Sequence, residues 1–423
     1  MSIIQEMLSK VPLPRMVKIR QEFACSAIGD IESTVTTELG KPGVAELILP
    51  GKRLAITVGS RGIADIDKIA LAIVNELKRR GALPFIVPAM GSHGGSTAEG
   101  QKEVIAALGV TEERMGCPIV SSMEVVELGR LANGLTVLMD KNAFESDGII
   151  VLNRIKPHTA FRGPCESGLV KMITIGLGKQ KGADSCHAYG FGHMATHILE
   201  MTEISLAKAP ILFGVAIVEN AYDRVACIEA MPASEIVAAD QRLLVTAKGN
   251  MPRIPFEYMD ILIVDRIGKE FSGDGMDPNI TGRYSTPFAT GGPTVNKIVV
   301  FDLTEETHGN ANGIGIADFT TRRLVNNINF DYSYANAFTS TITVPVRLPV
   351  IMESDRDAIM GAVKTCNAKE LANARVVRIR DTLHLSEMWV SEAMIPEAAK
   401  QANITVLGEA AEMRFSSAGD RLD

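Results

Sequence analysis

The chain has 423 residues, 46% of them hydrophobic and 22% charged, which is typical of a globular protein long enough for two domains and argues against disorder. Its formal net charge is -7, and the basic residues are scattered along the chain, which argues against a nucleic-acid or membrane-surface partner. The six cysteines include no CxxC pair, which argues against a disulfide framework, a zinc ribbon and an iron–sulfur cluster.

The distribution of apolar residues gives an expectation about location. Lysine and proline interrupt the apolar runs of residues 1–20, so we expect no signal peptide. No stretch approaches the roughly 20 apolar residues that a membrane span needs. Together with the scattered cysteines, these features predict a cytoplasmic protein.

The N-terminal half alternates short apolar runs with segments of helical periodicity. We predict helices at 65–80 and 97–108, and strands at 53–58, 83–89, 148–152, 211–218 and 261–264. Such alternation is typical of a mostly parallel sheet that is covered by helices on both faces. The predicted fold class is therefore α/β.

The character of the sequence changes after Asp265. Residues 268–292 are rich in Gly, Pro, Asn and Thr, which indicates a long loop or an interdomain connection. A second αβ pattern follows, with a predicted helix at 355–366 and strands at 298–301, 347–352, 376–379 and 385–390. We predict an N-terminal domain at 1–267, a smaller α/β domain at 268–400, and a segment at 401–423 whose strand, at 404–407, returns to the first domain.

Three loops that follow predicted strands carry chemically useful side chains. Arg61 follows the first strand, His93 the second, and Lys156 and His158 the third. Because loops at the carboxyl ends of parallel strands share one crevice, these side chains are expected to converge. One histidine in such a loop is more often a surface residue, but two in neighbouring loops favour a site with two titratable imidazoles.

Glycines in the second loop favour an anion site at the same place. Residues 91–97 read Gly-Ser-His-Gly-Gly-Ser-Thr, so the backbone around Ser92 and Gly94 can approach an anion closely. The N-terminus of the following helix adds positive potential. We expect a phosphate or carboxylate here, although glycine-rich turns of this kind are common in α/β proteins.

A lysine and a group of histidines follow the third loop. Lys171 lies within an apolar stretch at 168–177, where it is either a lysine at a helix edge or a desolvated nucleophile. His187, His193 and His197 come next, and the last two are spaced to hold a metal on one helix face. The glutamate of the zinc-hydrolase pattern is missing, which argues against that class.

The ordered motifs GSRGI, GSH, IKPH and ESGLVKM, followed by a downstream histidine, resemble the nickel-pincer-dependent lactate racemase family over roughly residues 1–270. The resemblance implies a pyridinium mononucleotide whose thioamide arm is joined to a lysine and whose thiocarboxylate arm helps to hold nickel. It also implies that one histidine binds the nickel and that two further histidines flank the substrate.

The resemblance can be carried over to particular positions. It implies that Arg61, His93 and His158 act on the substrate, that Lys171 carries the cofactor, and that His187 binds nickel, with His193 as the second choice. Cofactor contacts are also expected from Lys156, Ser92 and Gly94. In the second domain, the resemblance implies that Lys297 closes over the substrate.

This chain departs from the family pattern at two places. The segment between His158 and Lys171 is longer than in the family and carries Cys165 and Glu166. Two glycines follow His93, where well-known members have a basic residue and proline. Both departures lie beside the expected substrate, so they leave the identity of the hydroxy acid open.

The resemblance implies a racemase or epimerase that inverts C2 of an α-hydroxy acid by hydride transfer to and from the pyridinium ring. Its expected partners are a small hydroxy acid and the enzymes that make the cofactor, with no nucleic acid or membrane; the oligomeric state is left open. Two alternatives remain: a non-catalytic ligand- or metal-binding protein on the same scaffold, and a nicotinamide-dependent dehydrogenase. The sequence argues against the dehydrogenase because no GxGxxG opens the first helix.

Two loops of the second domain also attract attention. Residues 272–283 are dense in turn-forming residues and form either a structured linker or a lid over the substrate. His308 lies in a second polar, glycine-rich loop at 305–313.

Overall fold

Strands and helices alternate along most of the chain in the computed structural model, which describes residues 3–24, 26–60 and 62–422. The chain divides into two units. One comprises Cys25–Met251, and the other combines Met1–Ala24 with Pro252–Asp423. Among the described residues, the helices are too short or too polar to span a bilayer.

The strands in chain order are β1 (Met16–Gln21), β2 (Arg53–Val58), β3 (Leu83–Pro88), β4 (Val125–Arg130), β5 (Thr136–Asp140), β6 (Gly148–Arg154), β7 (Ile211–Glu219), β8 (Val225–Pro232), β9 (Tyr258–Ile267), β10 (Thr294–Leu303), β11 (Phe319–Thr321), β12 (Val350–Met352), β13 (Val376–Ile379), β14 (Glu387–Ser391) and β15 (Ile404–Ala411).

The helices in chain order are α1 (Ile3–Leu8), α2 (Ile31–Leu39), α3 (Ile66–Arg79), α4 (Ala98–Ala107), α5 (Glu112–Met115), α6 (Lys141–Phe144), α7 (Leu169–Lys171), α8 (Lys179–His187), α9 (Met194–Lys208), α10 (Ile236–Asn250), α11 (Pro278–Thr281), α12 (Arg322–Asn326), α13 (Phe330–Ser340), α14 (Asp355–Thr365) and α15 (Ile395–Ala398). A π-helical turn, Met172–Gly176, continues directly from α7.

The unit Cys25–Met251 is built on a five-stranded sheet in the order β3-β2-β6-β7-β8. The first four strands are parallel, and β8 returns antiparallel to β7. Five of the six residues of β2 and of β3 are buried, as expected for parallel strands covered on both faces. The predicted α/β fold class is confirmed in this unit.

Helix α3 shows how the sequence specifies one of the covering layers. Its apolar residues recur at helical spacing, and Ile69, Ile73 and Leu77 are fully buried. Gly81 has φ +83, so it adopts the left-handed backbone that lets the chain turn back into β3. The predicted helix at 65–80 is confirmed to within one residue at each end.

The second unit has an eight-stranded sheet in the order β12-β11-β10-β9-β13-β14-β1-β15. Strands β12 to β13 are parallel, whereas β14, β1 and β15 are antiparallel to their neighbours. The core includes Ile261, Val299 and Ile359. The α/β class is confirmed here too.

The division of the chain differs from the predicted domains at both ends. The chain divides at Met251 rather than at 267, and Met1–Ala24 belongs with the C-terminal residues. The reason is β1, which lies between β14 and β15 and hydrogen-bonds to both. The strand in the segment at 401–423, β15, pairs with β1, whose residues the prediction counted in the first domain and the structure places in the second unit.

Candidate functional site

The three predicted loops leave the same edge of the five-stranded sheet. Strands β3, β2 and β6 are parallel neighbours, so the loops that follow them begin side by side. The π-helical turn Met172–Gly176 packs against two of these loops: the N–H of Gly91 donates to the carbonyl of Gly176 at 3.2 Å, and a Cβ on Gly59 would lie 3.2 Å from Met172 Cε. The loops therefore gather around the segment that follows Lys171.

Lys171 is in direct contact with His158. Its Nζ lies 2.8 Å from His158 Nε2, while the N–H of Ala160 donates to His158 Nδ1 at 3.0 Å. His158 Nδ1 therefore accepts a backbone hydrogen bond, and Nε2 is the ring nitrogen that contacts Lys171.

The surroundings of His158 keep its imidazole neutral. Burial holds the pKa of His158 well below its ordinary value, and the neighbouring basic groups act in the same direction, Lys171 most strongly, then His187, Lys156 and Arg162. The ring of Phe161 lies 4.4 Å from that of His158 between centroids. A neutral imidazole in an apolar wall can accept a proton at neutral pH.

A buried carboxylate fixes the loop that carries His158. Glu166 is fully buried and accepts the backbone N–H of His158 at 2.7 Å. It also accepts Lys248 Nζ at 2.7 Å and Arg162 Nη1 at 3.3 Å, and Arg162 Nη1 donates to the His158 carbonyl at 2.6 Å. The longer segment between His158 and Lys171 therefore contributes a clamp on the backbone of His158.

The other residues of this segment have separate roles. Lys156 pairs through its backbone with Ser167, at 2.7 and 3.1 Å, and its charge acts on His158 as described above. Cys165 is buried, and burial raises the pKa of its thiol to about 12, so it is not a reactive thiolate.

The helix of Lys171 begins on a buried carboxylate. Asp240 accepts the N–H of Val170 at 2.9 Å, and a Cβ on Gly168 would overlap the Asp240 carboxylate. Burial raises the pKa of Asp240 to about 6, against the opposing effect of the backbone N–H groups. Asp240 therefore fixes the start of α7, and Lys171, the third and last residue of α7, contacts His158.

His93 is held by its own loop and by the loop after β2. Ser60 Oγ is hydrogen-bonded to His93 Nδ1, which directs Nε2 away from Ser60. A Cβ on Gly94 would lie 2.6 Å from the Gln101 backbone nitrogen, so the start of α4 requires glycine there. The carbonyl of Ser92 accepts Ser96 Oγ at 3.0 Å. Contacts of Ser92 and Gly94 with a cofactor stay predictions.

His187 is oriented as a metal ligand would need to be. Its Nδ1 donates to the carbonyl of Ala183 at 2.7 Å, which leaves the lone pair on Nε2. Burial lowers the pKa of His187, and the charge of Lys171 contributes to this lowering. A neutral imidazole with a fixed tautomer is the form that binds transition metals.

The alternative ligand, His193, has different neighbours. Its side chain is exposed, and its ring stacks on that of His197 at 5.6 Å and meets that of Tyr189 edge-on at 6.3 Å. His197 Nε2 lies 3.0 Å from Asn133 Nδ2. In the part of the chain that the structure describes, no group of three His, Cys, Asp or Glu side chains could hold a metal.

Arg61, predicted to hold a carboxylate or phosphate, lies outside the described residues. The chain on its C-terminal side is anchored to the end of the sheet. Glu219 accepts the N–H of Ala64 at 2.7 Å and forms an ion pair with Arg154.

The remaining predicted residues, Lys297 and His308, belong to the second unit together with the loop at 272–283. Lys297 lies on β10. Arg283 donates to the carbonyls of Ile316 and Asn296 at 2.9 and 2.8 Å, so this end of the loop is structured. His308 has φ +50 and lines an open pocket of about 450 Å³.

Several residues that build the site were not found from the sequence: Ser60, Gln101, Lys179 and Asp240. Each acts through a contact distant in sequence or through a backbone group, for which single-sequence patterns carry no signal. Glu166 was noticed only as a departure from the family. A charged residue between Cys165 and the apolar stretch at 168–177 could have suggested a buried, paired carboxylate.

One protein-family model matches part of this chain. Residues 6–197 match the model of the lactate racemase N-terminal domain. The lactate racemase apoprotein from Thermoanaerobacterium thermosaccharolyticum aligns with a TM-score of 0.44 and 14% identity, over 68% of this chain and 74% of that chain. That likeness is too weak to support an inference. No curated protein matches the chain. The matched residues 6–197 include His93, His158, Lys171 and His187, so the predicted resemblance to the lactate racemase family is confirmed over this part of the chain.

Proposed function

We propose that this chain is a racemase or epimerase that inverts C2 of an α-hydroxy acid. The observation that carries the proposal is the contact of 2.8 Å between Lys171 and His158, inside the segment that matches the lactate racemase N-terminal domain. A histidine base beside a lysine amine suits both proton transfer and covalent attachment of a cofactor. We assign this chemistry to the unit Cys25–Met251.

The residues fit the nickel pincer nucleotide that the family implies. Lys171 presents a side-chain amine, the group that can be joined to a thioacid as a thioamide. His187 keeps its Nε2 lone pair available. A single histidine is consistent with a metal whose other ligands come from the cofactor, and His187 would hold it.

When bound, the pyridinium ring supplies a carbon that accepts hydride and returns it. The protein must then move one proton at the substrate hydroxyl. His158 and His93 follow different strands, so each can serve one enantiomer, one taking the hydroxyl proton and the other returning it. The lowered pKa of His158 keeps this base unprotonated at neutral pH.

The other residues of the site would bind the substrate or cofactor and exclude water. Lys156, whose charge acts on His158, and Arg61 would hold a carboxylate or phosphate by charge-assisted hydrogen bonds. Phe161 and Phe191, with ring centroids 4.4 and 5.9 Å from that of His158, would exclude water from a planar keto acid.

Attachment of the cofactor is tested by intact mass. The chain is produced together with the cofactor-making enzymes, and we expect an added mass and bound nickel in the parent protein. Lys171→Ala should lose both while keeping its fold. Lys181→Ala is the matched control, because Lys181 is exposed and lies on the neighbouring helix α8. A full mass addition on Lys171→Ala would reject the assigned lysine.

The reaction is tested with C2-deuterated substrate and NMR. If hydride moves to the cofactor and back, deuterium stays on C2 of the inverted product and the labelled substrate reacts more slowly. Complete loss of deuterium to solvent would reject hydride transfer. If loaded protein turns over neither lactate, malate nor sugar acids, the non-catalytic binding function is favoured instead.

A further inference from the structure

Lys179 has an unusual position for a lysine. Its side chain is fully buried, and its backbone has φ +55, a left-handed conformation that is unfavourable for a residue with a Cβ. Burial lowers the pKa of Lys179, whereas Asp140 acts to raise it. A buried cation on a strained backbone requires compensating contacts, and the proposed mechanism makes no use of it.

The ammonium group of Lys179 has three partners from three elements. It donates to the carbonyl of Pro88 at 2.5 Å and to Gln101 Oε1 at 3.0 Å, and it lies 3.1 Å from Asp140 Oδ2 as an ion pair. Pro88 ends β3, Gln101 lies on α4 and Asp140 ends β5. The ammonium group therefore donates two hydrogen bonds and pairs with one buried carboxylate.

Two of these partners bracket the loop that carries His93. Pro88 lies immediately before this loop. Gln101 is fully buried, and its Nε2 donates to the carbonyls of Gly91 and His93 at 2.8 and 3.3 Å. A continuous path of hydrogen bonds therefore runs from Lys179 through Gln101 to the backbone of His93.

Lys179 is also the first residue of α8, which ends at His187. The π-helical turn between Lys171 and α8 contacts the same loop through Gly91 and Gly176. A single buried cation thus joins the segment of His93 to the helix of His187. Without the Lys179 ammonium group, the His93 loop and helix α8 would lose this shared contact and could shift independently of each other.

We propose that Lys179, acting through Gln101, is a positioning residue that sets the His93 loop relative to the helix of His187. The role of His93 as a base rests on the proposed function. The positioning of its ring can be measured in the cofactor-free protein, so the two proposals can fail separately.

The test uses full-length protein with isotope-labelled histidine and follows the ring resonances by NMR. Lys179→Met and Gln101→Met should shift or broaden the resonances of His93, assigned with His93→Asn. The resonances of His308 and His384, in the other unit, should stay unchanged. Lys208→Met is the matched control in the same unit, because Lys208 also donates to a backbone carbonyl, that of Leu128 at 2.6 Å.

In cofactor-loaded protein, both variants should lower kcat by about 100-fold, with KM changed by less than about twofold. If Lys179→Met does not fold, Gln101→Met decides, because it leaves the Lys179–Asp140 pair in place. A folded variant with unchanged His93 resonances would overturn the proposal. Shifted His93 resonances in the variants would support the positioning role even if the cofactor-loaded parent protein shows no racemisation. The second result would reject only the proposed reaction.

Discussion

Glu166 is the residue that holds the backbone of His158, whose N–H it accepts at 2.7 Å. This carboxylate is fully buried, but its partner Lys248 has a side chain that is 42% exposed. If Glu166 lost its negative charge, the Lys248 ammonium group could therefore be solvated by water. It would not become a buried cation without a partner. The main consequence of substitution should be a looser loop at His158.

We predict that Glu166→Gln lowers the free energy of unfolding by about 1–3 kcal/mol, the usual cost of weakening a buried charged hydrogen bond. The activity of the loaded protein should fall by about 10-fold or more, because the base is no longer held in place. The measurements are chemical denaturation and steady-state kinetics. Glu229→Gln, which removes the partly exposed pair with Arg242, is the control and should change stability by less than about 1 kcal/mol. Equal effects of the two substitutions would contradict the prediction.

At the scale of elements, α7 and the turn that follows it are the least regular part of the site. Their start is fixed by Asp240, whose pKa of about 6 lies above the value near 3.9 of an unfolded chain. At pH values between these two pKa values, the carboxyl group of Asp240 holds its proton more tightly in the folded protein than in the unfolded chain. The contribution of Asp240 to stability therefore decreases as pH rises through this window, and the ionised carboxylate costs the fold free energy above it.

We predict that Asp240→Asn removes this pH dependence. Relative to the parent protein, the variant should gain up to about 3 kcal/mol of unfolding free energy between pH values of about 4 and 7. The measurement is denaturation at several pH values. Asp184→Asn, the same change at an exposed position of α8, should leave the slope unchanged. A parallel pH profile for Asp240→Asn and the parent would show that burial does not raise this pKa.

The elements also show what the sequence could and could not predict. β2 and β13 were predicted to the residue, because a short and mostly apolar segment of strand length marks a strand buried on both faces. β4 and β5 were missed, because they form an isolated two-stranded ribbon with many half-exposed residues. The π-helical turn was also missed, since it depends on contacts with loops distant in sequence. The candidate site residues were predicted from loop motifs, whereas residues that hold them in place, such as Gln101 and Asp240, were not.

At the scale of the whole molecule, the two ends of the chain belong to one unit. Ile19 on β1 is fully buried, opposite Met388 of β14 and Val406 of β15. The protein has one tryptophan, Trp389, and it lies opposite Lys18 in the same pairing. Tryptophan fluorescence therefore reports on the unit that contains both ends.

We predict that Ile19→Ala lowers the stability of this unit by about 2–4 kcal/mol, the cost of a cavity in a closed core. The measurement is denaturation followed by Trp389 fluorescence. Arg20→Ala is the control on the same strand, because Arg20 is exposed and its ion pair with Glu387 contributes at most about 1 kcal/mol. A negligible effect of Ile19→Ala would mean that β1 is not an integral strand of the sheet.

The placement of β1 also sets an order of events during synthesis. Strand β1 leaves the ribosome long before both of its partners, β14 and β15. The unit Cys25–Met251 is contiguous and can fold while later residues are still being made. β1 must wait unpaired through that time, and its pairing closes a loop of more than three hundred residues between Gln21 and Glu387. Closure over such a sequence separation is slow, so nascent chains of this protein should depend on chaperones that shield an exposed apolar strand.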